Sequence, residues 1–341
     1  MRAEPLGRAV LHGEDPSRSD LVRLWDDGSV EVRAAIRHAP GRVPAAAFDG
    51  ETTYVVRDLG GERGAELLEH RPDLASPKVI ARHVLPLAPP IVRPGSVAFT
   101  IVGDRIDRGP RLALERLAVV ARENGALRAQ LEAEAFLLWP FATRRSSLLV
   151  LVADPEGTRI VEVASDRGLR RVCDFGPAQV RDPAMLADGR TLTLVERLGR
   201  RSRLLSIDLD NPKVRTLAEV VGDEVLLGMP VELSSKLEPY DWAPPNGRAE
   251  SGRELGFFFS ISPSWNRGRA RVSWPGSSAM IPLPDGSPIP LAAAGPSVLV
   301  RVQSESGHRH FLVRATHEGQ KLTELRTRGG VLSSVRLEAV K

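Results

Sequence analysis

Residues 181–217 decide the fold. They read Arg181-Asp-Pro-Ala-Met-Leu-Ala-Asp-Gly-Arg-Thr-Leu-Thr-Leu-Val195, a polar link, Leu204-Leu-Ser-Ile-Asp-Leu209, then Val214-Arg-Thr-Leu217. Asp188-Gly189-Arg190 is a turn signal, because glycine reaches backbone conformations that other residues avoid. Thr191 to Val195 then alternates as a half-buried strand does. Glu196 to Arg203 is polar, carries Gly199, and connects. Leu205, Ile207 and Leu209 fall on one face of a second strand, since strand side chains point alternately to opposite faces. Asp210-Asn211-Pro212 closes the hairpin, and Val214–Leu217 can form a short outer strand.

The same grammar recurs along the chain. Ser147–Val152 leads through Asp154-Pro-Glu-Gly157 to Arg159–Val163. Val97–Val102 leads through Gly109-Pro110 to Leu112–Val119. Val298–Val302 leads to Phe311–Ala315, Thr52–Val56 to Ala65–Leu68, and Phe257–Ile261 to Ala270–Trp274. Leu21–Trp25 and Val30–Ala34 flank Asp26-Asp27-Gly28 as a tight hairpin. The leading strands start near 21, 52, 97, 147, 191, 257 and 298, in steps of 31, 45, 50, 44, 66 and 41 residues. Propeller blades repeat at about 40–50 residues. The expectation is therefore an all-β chain, a six- or seven-bladed β-propeller over residues 1–341, with a loop insertion at 220–256. The short first step is explained if Val331–Leu337 completes the first blade. Pairing the two termini in this way removes the exposed sheet edges that invite aggregation.

Arg111–Glu134 admits two readings. Leu112, Leu114, Leu117, Val120, Leu127 and Leu131 sit among Glu and Arg in a helix-like pattern. Asn124-Gly125, however, suits a two-residue hairpin turn. The repeat frame favours two strands.

The 181–217 block resembles the blades of TolB-like and WD40-like β-propellers: a Pro, a small apolar run, Asp-Gly, a strand, then a second strand ending in Asp-Leu. Met185-Leu186-Ala187 stands where that pattern commonly has Trp-Ser-Pro. The resemblance implies a radial all-β ring and a recognition surface. It implies no reaction.

Composition narrows the function classes. Of 341 residues, 42% are hydrophobic, enough to bury a core, so general disorder is excluded. No apolar run is long enough to span a membrane as a helix. The start lacks the basic and apolar segments of a secretory signal, and a cytoplasmic, bacterial protein is expected. The lone Cys173 excludes an internal disulfide and a thiolate zinc cluster. Arginine supplies 42 of the 47 basic residues. A GC-rich genome explains this bias, and so does an anionic partner. The net charge of +4 is a weak field over this length.

Catalytic signatures are incomplete. Gly103-Asp-Arg-Ile-Asp-Arg-Gly109 resembles the Gly-Asp-x-x-Asp-Arg-Gly signature of calcineurin-like metallophosphatases, which would give Asp104 a metal and Arg108 a phosphate. The accompanying Asp-x-His and Gly-Asn-His-Glu are absent, and one carboxylate cannot hold two metals. The string is read instead as a polar turn. His308-x-His310 with His317 is the densest histidine group. It is read as a solvated loop edge rather than a metal site. His12, His38, His70 and His83 have no evident partners. Gly-x-Ser-x-Gly and the phosphate-binding glycine motifs are missing. Cys173 reads as a small buried residue. No cofactor, metal or catalytic residue is assigned.

Arginine groups stand at 144–145, 170–171, 200–203 and 267–271. Gathered at turns, they would form a basic rim for an acidic protein surface or a phosphate backbone. Aromatic residues are not interleaved with them, which argues against nucleic acid. The expected function is a non-catalytic protein–protein interaction module, a scaffold or partner-sequestering regulator. Arg200, Arg201 and Arg203 are its candidate contacts, with Tyr240 and Trp242 of the Pro-rich segment as aromatic anchors. The alternatives are a hydrolase acting in the propeller channel and an anionic-ligand or nucleic-acid binder using the Arg-rich turns.

Overall fold

The structure, a computed structural model, describes residues 3–338 apart from 62–63, 75, 87, 94–95, 108–112, 124–125, 165–167, 186–188, 212, 222–224, 230–256, 262–268, 275–276, 283–285, 295–296, 305–306 and 317–318. Its regular elements are all β-strands, with no helix among the described residues. They form seven four-stranded sheets. The first blade is Val331–Leu337, Pro5–His12, Arg18–Trp25 and Val30–Arg37, in that spatial order. The second comprises Ala45–Asp49, Thr52–Asp58, Ala65–His70 and Lys78–Arg82. The third comprises Ile91–Arg93, Ser96–Asp107, Ala113–Glu123 and Ala126–Ala135. The fourth comprises Leu137–Arg144, Ser147–Asp154, Gly157–Val163 and Leu169–Gly176. The fifth comprises Gln179–Met185, Thr191–Leu198, Arg201–Asp208 and Val214–Val221. The sixth comprises Val225–Met229, Phe257–Ile261, Arg269–Trp274 and Ser277–Pro282. The seventh comprises Gly286–Ala294, Ser297–Ser304, Gly307–Thr316 and Gly319–Leu325.

The chain divides into two compact units. One holds Glu14–Asp20 and Ala34–Pro177, with the second to fourth blades. The other holds Met1–Gly13, Leu21–Arg33 and Ala178–Lys341, with the fifth to seventh blades and both terminal strands.

In the second unit the terminal strands pair antiparallel, from Gly7 opposite Leu337 to His12 opposite Val331. This is the closure expected from the short first repeat. Gly7 is required by close approach, because a methyl group there would collide with the Arg336 carbonyl. His12 Nε2 and Ser333 Oγ hydrogen-bond at 2.6 Å across the same pair. Leu6, Val22, Leu24, Leu299, Leu312, Leu325 and Leu332 pack as one core between the seventh and first blades. The Asp26–Ser29 turn docks on the end of the seventh blade, where Arg326 N–H donates to the Gly28 carbonyl at 2.8 Å.

In the first unit, Val56, Leu67, Val97, Phe99 and Val120 fill the space between the second and third blades. Leu117, Val119, Leu138, Leu148, Val150 and Val161 do so between the third and fourth. Thr100, fully buried, donates its hydroxyl proton to the Leu138 carbonyl and joins the latter two blades.

Two expectations change. Six of the seven recurring leading strands are the second strands of their blades, and Arg18–Trp25 is the third of the first blade. The true first strands were obscured by Pro140, Pro183, Pro288 and Pro290. Proline cannot donate to the ladder, and the register slips at Pro140/Ala142, Arg181/Ala184 and Pro290/Ala292. The phosphatase-like string is not a turn over its described part, Gly103–Asp107; Arg108 and Gly109 lie outside the described residues. Gly103–Asp107 continues the strand Ser96–Asp107, with Arg105 opposite Glu115 and Ile106 opposite Leu114. The two-strand reading favoured for residues 111–134 holds where they are described: Ala113–Glu123 and Ala126–Ala135 pair, with Glu123 opposite Ala126. The expected insertion at 220–256 falls largely outside the described residues. Its described part includes Val225–Met229, which pairs with Phe257–Ile261.

Candidate protein-interaction surface on the fifth blade

The polar link read from the sequence is a short hairpin, Leu198-Gly199-Arg200-Arg201, with Gly199 at φ 60°. Leu198 lies opposite Arg201, and Arg201 opposite Val221. Residues opposite one another in antiparallel strands share a face. The hairpin end therefore presents a row of Leu198, Arg201 and Val221. Leu198 is 56% exposed and Val221 64%. The row two residues further along is Glu196, Arg203 and Glu219. Beyond it, Leu194 and Leu205 are buried. One strand face thus passes from core, through a charged row, to an exposed apolar–cation–apolar row.

The arginines are not free charges. Arg203 meets Glu196 at 2.5 Å, and Glu196 is buried. Arg201 meets Glu219 at 3.1 Å. Arg200 is exposed at the hairpin tip. The wider basic rim follows the same rule. Arg144 and Arg170 both face Glu162, and Arg171 faces Asp174 at 3.1 Å. Glu162 serves arginines of two other strands and Asp174 an arginine of its own strand, so these guanidinium groups already hold carboxylates. Tyr240, Trp242 and Arg267 lie outside the described residues.

Acidic residues have a second task, holding turns. Asp208 accepts N–H bonds from Asp210 and Asn211 and an ion pair from Arg190. The Arg190 guanidinium holds its carboxyl well below the usual carboxylate range. Asp27 does the same for Ser29, and Asp174 for Gly176.

Three histidines acquire partners the sequence did not reveal. His310 is not a loop edge; it is fully buried in the strand Gly307–Thr316. Leu332 N–H donates to its Nε2 at 3.2 Å. Nδ1 therefore carries the proton and donates to Thr327 Oγ1, also at 3.2 Å. Both nitrogens are spent, which leaves neither for a metal. Burial, with Arg301 and His308 adding repulsion, lowers its pKa from 6.5 to about 4. His12 bonds Ser333, as described above. His38 Nε2 accepts from Ser19 Oγ at 2.7 Å, while Nδ1–H donates to the Ala39 carbonyl at 2.9 Å. This Ser–His contact lacks a carboxylate behind the imidazole, and Ser19 is 1% exposed. It is a structural clip rather than a nucleophile and base. Cys173 is half-buried rather than enclosed. Among the described residues, no group of three or more His, Cys, Asp or Glu has metal-binding geometry, and no helix is long and apolar enough to cross a membrane.

Solved structures place this arrangement. TolB from Acinetobacter baumannii aligns over 98% of the chain and 67% of its own, at TM-score 0.51 and 12% identity. The fold is a TolB-like β-propeller. A puromycin-hydrolysing peptidase from Mycobacterium tuberculosis aligns over 94% of this propeller, at TM-score 0.53 and 14% identity. A prolyl endopeptidase aligns over 98%, at TM-score 0.57 and 11% identity. The chain spans about half the length of those peptidases, 53% and 51% respectively. At these identities the likeness concerns the fold. No family model matches the chain, and no curated protein matches its sequence.

Leu198 and Val221 were missed in the sequence. Leu198 fell within Glu196–Arg203, read as a polar connection, and Val221 fell beyond the short outer strand Val214–Leu217. Only the register shows that the strands run on and carry both side chains to the exposed end of the sheet.

Proposed function

We propose that the chain is a non-catalytic protein–protein interaction module, a scaffold or sequestering regulator, that engages its partner through the end of the fifth blade. The observation that carries this reading is the exposed row Leu198–Arg201–Val221. Arginine is among the residues enriched at interface hot spots, and the exposed Leu198 and Val221 beside it offer apolar area that a partner can bury. Arg201 already holds Glu219, so an incoming carboxylate exchanges one partner for another, and the two apolar neighbours supply the net gain. The partner segment this suits carries an acidic group between apolar ones. Tyr240 and Trp242 remain candidate anchors by sequence.

The test compares full-length protein with L198D, V221D and R201E by quantitative affinity enrichment from the source organism. A shared set of proteins depleted by all three variants, with unchanged thermal midpoints, supports the reading. Equal enrichment by all three refutes it.

The second reading, a hydrolase, draws on the peptidases that share the fold. An assay with fluorogenic peptide and aminoacyl substrates decides it. Turnover that survives purification to homogeneity and is lost in S19A would overturn the structural role given to Ser19.

A further inference from the structure

The seventh blade carries a group of basic side chains that the proposed interaction surface does not use. Arg301 lies opposite His310 in the pair Ser297–Ser304 and Gly307–Thr316, and His308 lies two residues before His310. All three side chains therefore share one sheet face. It is the face of Leu299 and Leu312, which belong to the core packed against Leu332 of the closing strand. At the end of that apolar contact, the face turns cationic. Arg301 Nε and His308 Nδ1 are buried atoms with no hydrogen-bond partner. Among the described residues no carboxylate pairs with Arg301. This sets it apart from the arginines of the fifth blade and from Arg309, whose Nε meets Glu324 at 2.8 Å.

We propose that Arg301 and His308, backed by neutral His310, form a binding site for a carboxylate ligand at the edge of the seventh blade. The chemistry follows from the orphaned atoms. A guanidinium presents parallel N–H donors that match a planar carboxylate. A protonated His308 adds a third donor from Nδ1. His310 cannot take part directly, because Thr327 and Leu332 hold both its nitrogens. A buried donor left unmatched costs about 1–3 kcal/mol, and a bound carboxylate removes that cost at two positions. The surroundings oppose positive charge: burial lowers the pKa of both Arg301 and His308, and Arg301 further lowers that of His308. A bound anion reverses the balance at His308 and draws a proton onto it. Carboxylate affinity therefore rises as pH falls through the titration of His308.

The test uses the full chain with carbon-13-labelled histidine, followed by NMR of the ring signals at about pH 7. Sodium acetate replaces sodium chloride at constant ionic strength. The expected result is a saturable shift of the His308 and His310 signals, with His70 and His83 unmoved and the His308 midpoint raised. R301Q abolishes the shift. H308N weakens acetate binding and removes its pH dependence; the His38 signal, held by Ser19, reports that each variant is folded. A peptide with a free terminal carboxylate that outcompetes acetate, while its amidated form does not, identifies a chain terminus as the source. Equal competition identifies a free acid. Shifts reproduced by chloride, or retained in R301Q, overturn the proposal. So does acetate binding that is absent from the wild-type protein and gained only in E305Q or E318Q, since a carboxylate of the chain itself would then occupy the site.

Discussion

Acidification should loosen the junction between the closing strand and the seventh blade, because His310 must then accept a proton where it has no room for one. Its imidazole is fully buried, takes the Leu332 N–H on Nε2 and gives its own proton to Thr327. A second proton would eject the Leu332 N–H and place a cation beside Arg301 and His308. The folded chain therefore holds His310 neutral down to about 4, against 6.5 when it is free. Between those values the unfolded chain binds more protons, so stability rises with pH across the window. The contribution is complete above 6.5, declines as pH falls, and is exhausted below about 4. The gap corresponds to about 3 kcal/mol. The assay is urea unfolding at steps from about pH 7.5 to about pH 4.5, with wild type beside H310Q. Glutamine can accept from Leu332 and donate to Thr327 but cannot titrate. The wild-type curve should lose about 3 kcal/mol relative to H310Q over the window. His70 and His308 are also lowered by burial and slope the same way, but they are common to both proteins and cancel. Parallel curves would refute the assignment of the buried neutral imidazole.

Other outcomes follow from single contacts. Arg203→Ala should cost about 1–2 kcal/mol in urea unfolding, because buried Glu196 loses its cation. Arg200→Ala, at the exposed tip, should stay within about 0.5 kcal/mol. Phe99→Ala should cost about 3–5 kcal/mol, since the ring is 0% exposed in the contact between the second and third blades. Gly157→Ala should lower the thermal midpoint: φ there is 129°, and the added methyl would meet the Gly176 carbonyl. Gly189→Ala should be milder, as its φ of 63° is strained but nothing crowds the site.

The parts of the fold legible in the sequence are its uninterrupted strands. Thr191–Leu198, Ser147–Asp154 and Ser297–Ser304 announce themselves as short runs of β-forming residues, and the structure buries Thr191–Glu196 and Leu148–Val152 without a break. Their neighbours at Leu137–Arg144 and Gly286–Ala294 do not announce themselves, because prolines and a slipped register interrupt the run. The terminal pairing was legible from one short repeat and one leftover strand. The candidate site was only half legible. Arginines are visible in sequence, but the carboxylates that meet Arg203 and Arg201 sit on neighbouring strands, and only the register brings Glu196 to Arg203 and Glu219 to Arg201. The histidines show the same gap. His310 and Leu332 are joined across two blades, a contact no local spacing encodes, so a buried latch read as a solvated edge.

The interaction reading is tested most directly by placing a photo-crosslinking amino acid at single positions and irradiating cells of the source organism. Positions Leu198 and Val221 report the proposed surface. Val32 and Leu169, also exposed apolar residues, report the first and fourth blades. Discrete adducts of one size from Leu198 and Val221, lost when R201E is added and absent from Val32 and Leu169, are the expected result. Adducts from Val32 or Leu169 alone, or none from Leu198 and Val221 in a folded protein, would contradict the placement of the partner surface on the fifth blade.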